Sequence, residues 1–104
     1  METLADKLAL LGRHVERAVA AVGNDRGASP VLVAVVGEFA AKYKKAADGL
    51  AAGVTSTREL VVEVEQAADS AKVGATADPG IAEDTRHLVE VAHNAICLVK
   101  FEGQ

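Results

Sequence analysis

The chain has 104 residues, of which half are apolar and a quarter charged, and its net charge is −4. This composition excludes a disordered chain, and the length predicts a single domain, residues 1–104, because two cores would each bury too little apolar surface. Lys and Arg total 11 against 15 Asp and Glu, without a basic stripe, so no nucleic-acid partner is expected.

The N-terminal segment METLADKLALLGRH carries Glu2 and Asp6 and lacks the basic start and cleavage site of a signal peptide. No apolar run approaches the roughly 20 residues of a membrane-spanning helix. We therefore expect a cytoplasmic protein without a membrane span, and signal-less export is the alternative. Cys97 is the single cysteine and the zinc-type Cys/His spacings are absent, so neither a disulfide, a metal nor a cofactor is predicted.

The first two helices are predicted at about residues 2–22 and 30–50, where apolar residues alternate spacings of four and three. Ser29 and Pro30 suit a helix N-cap followed by proline at the first helical position. A buried strand at residues 31–36 is the alternative, since valine favours strands. The predicted core-facing residues are Leu4, Leu8, Leu11, Val15, Ala18 and Val22, then Leu32, Val36, Phe39, Tyr43, Ala46 and Leu50.

Two further helices are predicted at about residues 56–73 and 79–101. Ser56 and Glu59 have the spacing of a capping box, Gly74 is placed to end the third helix, and Asp78 and Pro79 suit the start of the fourth. The predicted core-facing residues are Leu60, Val64, Ala67 and Ala71, then Ile81, Thr85, Leu88, Ala92, Ala95 and Val99.

Four helices of similar length with short links predict an all-α, antiparallel up-and-down four-helix bundle. In this arrangement Lys42 and Lys45 face Glu59 and Glu63, so the lysines are interpreted as ion-paired rather than as a recognition patch. Several aliphatic residues lie outside the predicted core stripes, which favours a second buried surface and hence a homodimer or a partner helix. They are Val33, Val62, Val89, Ile96 and Leu98.

The fourth helix carries the candidate site residues His93, Arg86 and Glu90, which fall with Cys97 on the side opposite the predicted core stripe. An exposed Glu90-x-x-His93 does not suit a di-iron site, whose Glu-x-x-His pairs project inward, so no metal is assigned to it. Cys97 is interpreted as a small residue at the edge of packing. His14 is interpreted as a residue at the boundary of the core.

Two chemical alternatives use the same residues. Ala92 and His93 resemble the start of the Ala-His-x-Leu-Lys-Gly motif of histidine phosphotransfer domains, although Ala95, Ile96 and Cys97 replace its Leu, Lys and Gly. Arg86 and His93 also fit the loose Arg-x(4–6)-His pattern of HEPN-type ribonucleases, which are helical and often dimeric. In such a site the two side chains would stabilise a phosphate and move protons.

Residues 1–78 resemble the small, acidic, Ala/Val-rich helical proteins associated with ESX (type VII) secretion. The resemblance lies in a helix, the Ser29-Pro30 break, EFAAKYKKAADGLAAGV and ELVVEVEQAAD. It implies helical hairpins that pair, and export without a signal peptide. The Trp-x-Gly turn of that family is absent, and residues 79–101 add a helix that a hairpin does not need. The leading prediction is a non-enzymatic interaction or assembly protein that acts through protein contacts, and the resemblance implies an association with ESX secretion.

Overall fold

The computed structural model describes residues 3–53 and 57–102 and contains four helices. They are α1 (Leu4–Asn24), α2 (Pro30–Ala51), α3 (Thr57–Ala77) and α4 (Glu83–Glu102). Each helix packs against the next one in the chain, and α4 packs against α1, so the helices surround one core. The all-α four-helix prediction is confirmed, and residues 31–36 are helical rather than extended. Within the described ranges, no helix is long and apolar enough to cross a membrane.

The starts of α1 and α2 follow from local side-chain chemistry. The Thr3 hydroxyl accepts from Asp6 N at 3.1 Å, and Thr3 N donates to the Asp6 carboxylate at 3.1 Å, which forms a capping box. The Ser29 hydroxyl accepts from Leu32 N at 3.1 Å, and Pro30 is the first residue of α2. The predicted Ser29-Pro30 start is therefore confirmed. The predicted capping box at Ser56 lies outside the described residues.

The core-facing sides of α1 and α2 agree with the periodicity of the sequence. Phe39 is 0% exposed and is the largest of the fully buried residues. Tyr43 and Leu50 are half-buried against the same core. The Tyr43 hydroxyl donates to Leu8 O at 2.9 Å, which satisfies its polar end. The buried apolar residues are Leu8, Leu11, Val15, Ala18 and Val22 of α1, and Leu32, Val36, Phe39 and Ala46 of α2.

The prediction that Gly74 ends α3 is wrong, because the helix continues to Ala77. Gly74 lies where α3 approaches α2. A Cβ atom at this position would come within 3.1 Å of Val35 Cγ2 and 3.5 Å of Leu32 Cδ1. The absence of a side chain at Gly74 therefore lets the two helices pack closely.

The predicted core-facing residues Val64, Ala67 and Ala71 of α3 are buried, whereas the core-facing side of α4 differs from the predicted one. Val89 and Ile96, placed outside the stripe of α4, are 0% exposed, whereas Leu88 and Ala95 are half-buried at its flank. Relative to the prediction, α4 is therefore rotated about its axis by about half of the 100° step between successive residues. The buried apolar residues are Val61, Val64, Ala67, Ala68, Ala71 and Ala75 of α3, and Val89, Ala92, Ile96 and Val99 of α4.

The fourth helix begins at Glu83 rather than at Pro79. Arg86 N, in the first turn of α4, donates to the carbonyl oxygen of Ala82, the residue before the helix, at 3.1 Å. Asp78 does not cap α4 as predicted, because its carboxylate accepts hydrogen bonds from the two interhelical loops instead.

The loop between α1 and α2 and the loop between α3 and α4 join at one end of the bundle. Asp25 accepts from Gly27 N within its own loop and from Ala82 N of the other loop, both at 2.9 Å. Asp78 accepts from Gly80 N of its own loop at 3.0 Å and from Ser29 N of the other loop at 2.8 Å. We call these residues the loop junction: Asp25, Gly27, Ser29, Asp78, Gly80 and Ala82.

The loop junction reveals an internal repeat with a period of 53 residues. Asp25, Gly27 and Ser29 play the roles that Asp78, Gly80 and Ala82 play 53 positions later. Every buried residue of α1 and α2 other than Gly12 likewise has a buried residue 53 positions further on. The bundle therefore consists of two similar helical hairpins, α1–α2 and α3–α4.

The loop junction predicts a loss of stability in acid. Hydrogen bonds from Ala82 N, then Thr85 and Gly27 N, lower the pKa of Asp25, and hydrogen bonds from Ser29 N and Gly80 N lower that of Asp78 against an opposing effect of burial. A carboxyl whose folded pKa is lowered stabilises the fold above its unfolded value, and this stability is lost as the pH falls through the folded pKa. The urea concentration at the unfolding midpoint should therefore decrease when the pH is lowered below about 4. The fall should be smaller in an Asp25→Asn, Asp78→Asn variant, and an equal fall in both proteins would contradict this assignment.

Candidate functional site

Arg86 connects the start of α4 with the end of α3. Its guanidinium donates from Nε to Ala75 O at 3.2 Å and from a terminal nitrogen to Asp78 O at 3.1 Å. The other terminal nitrogen pairs with Glu83. Carbonyls at a helix C-terminus lack intrahelical partners and carry partial negative charge, so an arginine stabilises them. Arg86 therefore has a structural role in this arrangement.

His93 packs against α3 and does not point to solvent as predicted. Its side chain is 12% exposed, and Nε2 lies 2.7 Å from an oxygen of Asp69, which is one of the residues on the α4-facing side of α3. Nδ1 lies 3.2 Å from the Asn94 side-chain oxygen. A protonated imidazole donates to both oxygens at once. The rotation of α4, which buries Val89 and Ile96, brings His93 to this position between the two helices.

Cys97 lies one turn beyond His93, with Sγ 3.8 Å from His93 Nε2. Because Asp69 and Cys97 approach the same ring nitrogen, the three side chains do not form the relay of a catalytic triad, which uses both nitrogens. Among the residues that the structure describes, no three His, Cys, Asp or Glu side chains form a group that could hold a metal ion. Glu90 is half-buried on the same side of α4.

The structure does not bring Arg86 and His93 together around one substrate. They are seven residues apart, about 10 Å along a helix axis, and each is bonded to a different part of α3. The phosphotransfer and ribonuclease alternatives stay predictions, and the contacts of these two side chains do not favour them. Asp69 was not among the site residues predicted from sequence. The helical periodicity of α3 was the only signal that could have placed it beside His93.

A groove between α3 and α4 has a volume of about 440 Å³. We call it the His93 groove, and it is lined by Asp69, Lys72, Val73, Thr76, Ala77 and His93. The first hairpin has a groove of about 410 Å³ at the corresponding place between α1 and α2. Glu16, Val19, Ala20 and Ala40 of that groove correspond, 53 positions earlier, to Asp69, Lys72, Val73 and His93.

The seam between α2 and α3 is closed by ion pairs. Glu63 lies 3.3 Å from Lys42 Nζ and 3.4 Å from Lys45 Nζ, and Glu38 lies 3.7 Å from Lys42 Nζ. The hydrogen bond from Lys42, followed by that from Lys45, lowers the pKa of Glu63 against an opposing effect of burial. The predicted pairing of the two lysines with Glu63 is confirmed.

The seam between α1 and α4 is the counterpart of that seam in the internal repeat, and apolar residues make up most of its lining. Leu10 and Leu98 are 50% and 62% exposed and line a cleft of about 190 Å³ with His14. We call it the α1–α4 cleft, and its lining residues are Lys7, Leu10, Leu11, His14, Ala95, Leu98 and Val99. The positions of Glu63, Lys42 and Lys45 are taken here by Leu10, Ala95 and Leu98.

The aliphatic residues outside the predicted stripes differ in how far they are buried. Val89 and Ile96 belong to the core, so they no longer indicate a second buried surface. Val62 is half-buried, whereas Val33 and Leu98 are 48% and 62% exposed. Leu98 is the residue of this set that shares a cleft with another exposed leucine.

Comparison of the chain with known protein families, with curated proteins and with solved structures finds no match.

Proposed function

We propose that the protein is a non-enzymatic assembly protein that forms a homodimer through the α1–α4 cleft. The observation that carries this proposal is the exposure of Leu10 and Leu98 at positions where the related α2–α3 seam has ion-paired side chains. Exposed leucines that share one cleft are typical of a surface that a partner covers.

A second copy of the chain is the proposed partner because Leu10 and Leu98, on neighbouring helices, line the same cleft. A twofold axis parallel to the cleft would place Leu10 of each protomer against Leu98 of its partner. Each leucine contact would then form twice, as in the isologous interfaces of most homodimers. An unrelated partner helix would need a matching apolar stripe of its own.

The size of the bundle is sufficient for such a dimer. The molecule is 40 Å long and 19–23 Å across, so one side of it presents on the order of 800 Å². A stable interface of standard size takes about that area from each partner. Self-association through the α1–α4 side would therefore use most of that side.

The resemblance of residues 1–78 to ESX-associated proteins stays a prediction. It implies hairpins that pair, and a homodimer of this bundle would be an assembly of that general kind. Export without a signal peptide is likewise proposed from the resemblance alone.

Replacement of Leu98 by glutamate tests the proposed interface. A carboxylate buried without a partner costs several kcal/mol, so Leu98→Glu should raise the dimer dissociation constant at least about 100-fold. Val31→Glu is the matched control, because Val31 is 68% exposed on α2, away from the cleft. Sedimentation velocity over a concentration series measures both variants, and circular dichroism checks that they remain helical.

Equal association of Leu98→Glu and the wild-type protein would overturn the proposed interface. So would an equal weakening by Val31→Glu, since this would show that any added charge reduces association.

A further inference from the structure

The two related grooves differ in chemistry although their volumes are similar. Lys72, Thr76 and His93 of the His93 groove correspond, 53 positions earlier, to Val19, Gly23 and Ala40. The first hairpin folds in the same way with these apolar residues. The polar side chains of the His93 groove are therefore not a requirement of the fold.

Several of the negative groups beside the His93 groove have partners. The Asp69 carboxylate is 2.7 Å from His93 Nε2. Near the end of α3, Ala75 O and Asp78 O accept from Arg86. The contacts with Arg86 reduce the partial negative charge that would otherwise repel an anion at a helix C-terminus.

Lys72 remains as an exposed cation on the groove. It makes no ion pair with any residue that the structure describes, and its helix places it one turn before Thr76. Glu90, one turn before His93 on α4, and Asp69 are the acidic side chains that oppose anion binding there. Glu90 likewise makes no ion pair within residues 3–53 and 57–102.

We infer that the His93 groove binds a small molecule that carries an oxyanion, a phosphate ester or a carboxylate, on a short apolar body. The Lys72 ammonium and the Thr76 hydroxyl bind the oxyanion, because both donate hydrogen bonds. Val73 and Ala77 contact the apolar body. The inference is independent of the proposed dimer, since the α1–α4 cleft lies on a different seam of the bundle.

NMR titration of the full ¹⁵N-labelled chain tests the inference. The probes are butyl phosphate and butyrate, which share an apolar body and differ in the anion, and sodium chloride at matched ionic strength is the control for screening. Saturable shifts of the amides of residues 69–77 and 93 are expected. The probe that binds more tightly identifies the preferred anion.

Variants then assign the binding to Lys72. Lys72→Met should weaken binding about tenfold, the effect of losing one hydrogen bond to a charged group. Lys44→Met is the matched control, because Lys44 lines the related groove and is paired with Asp48 at 2.9 Å. Glu90→Gln should strengthen binding by removing a repulsive charge.

Three results would overturn the inference. Sodium chloride could reproduce the shifts, the shifts could occur outside the His93 groove, or Lys72→Met and Lys44→Met could have equal effects. None of these results would bear on the dimer, which is measured by sedimentation.

Discussion

Replacing Gly27 with alanine is expected to destabilise the protein by about 3 kcal/mol. A Cβ atom at Gly27 would lie 1.7 Å from Gly80 O and 2.5 Å from Gly80 C. These are backbone atoms of the other loop, so the clash cannot be relieved by a side-chain rotation. The loops would separate, and the hydrogen bonds from Ser29 N to Asp78 and from Ala82 N to Asp25 would be lost. Urea unfolding measures the change.

Two other glycines provide controls, because replacing them with alanine is not expected to destabilise the protein. A Cβ atom at Gly23 or Gly37 would meet no atom within 4 Å. Gly37 lies inside α2, so Gly37→Ala should stabilise the protein by about 0.5–1 kcal/mol. If Gly27→Ala proved as harmless as Gly23→Ala, the close approach of the two loops in solution would be refuted.

Phe39→Ala is expected to cost about 3–5 kcal/mol. Phe39 is 0% exposed, and most of the other buried side chains are alanine and valine, which are too short to fill the space of a lost aromatic ring. The corresponding residue of the second hairpin is Ala92, so the core depends on one large side chain at this level. Thermal and urea unfolding, followed by circular dichroism, measure the loss.

The control for Phe39→Ala is Val31→Ala, which removes apolar atoms from a side chain that is 68% exposed. Its effect should stay within about 0.5 kcal/mol. A cost below about 1 kcal/mol for Phe39→Ala would contradict the placement of Phe39 at the centre of the core.

The helices of the first hairpin could be predicted closely from sequence. Polar residues such as Arg13, Glu16 and Arg17 separate the apolar residues of α1, so only one side of the helix can face a core. At the start of α2, Ser29 and Pro30 fix the first turn through a cap that uses neighbouring residues only. Local chemistry is sufficient in both cases.

The orientation of α4 could not be predicted in the same way. Between Leu88 and Val99 most residues are apolar, so several sides of the helix are equally acceptable to a hydrophobic core. In the structure, the side with Val89 and Ile96 packs against the core and Leu98 is exposed. His93 was predicted to face solvent, but in this orientation of α4 it contacts Asp69.

The start of α4 depends on a long-range contact. Asp78 and Pro79 have the local pattern of a cap followed by proline, and a single hairpin would use them so. In the bundle Asp78 accepts from Ser29 N, 49 residues earlier in the chain, and α4 begins at Glu83. A signal was nevertheless present, because the Asp-x-Gly pattern of residues 25–27 recurs at residues 78–80.

The candidate site was predicted as residue types but not as contacts. Arg86 and His93 were identified from α4 alone, whereas their partners Ala75, Asp78 and Asp69 belong to α3 or follow it. A partner on another helix depends on how the helices are rotated about their axes. Lys72 and Thr76 were missed for the same reason.

The mass of the wild-type protein in solution tests the proposed assembly most directly. Sedimentation equilibrium at micromolar concentration should give twice the chain mass of 10.7 kDa, and Leu98→Glu should return the mass to that of one chain. A wild-type mass of 10.7 kDa throughout the concentration series would contradict the homodimer, and with it the function proposed for the α1–α4 cleft.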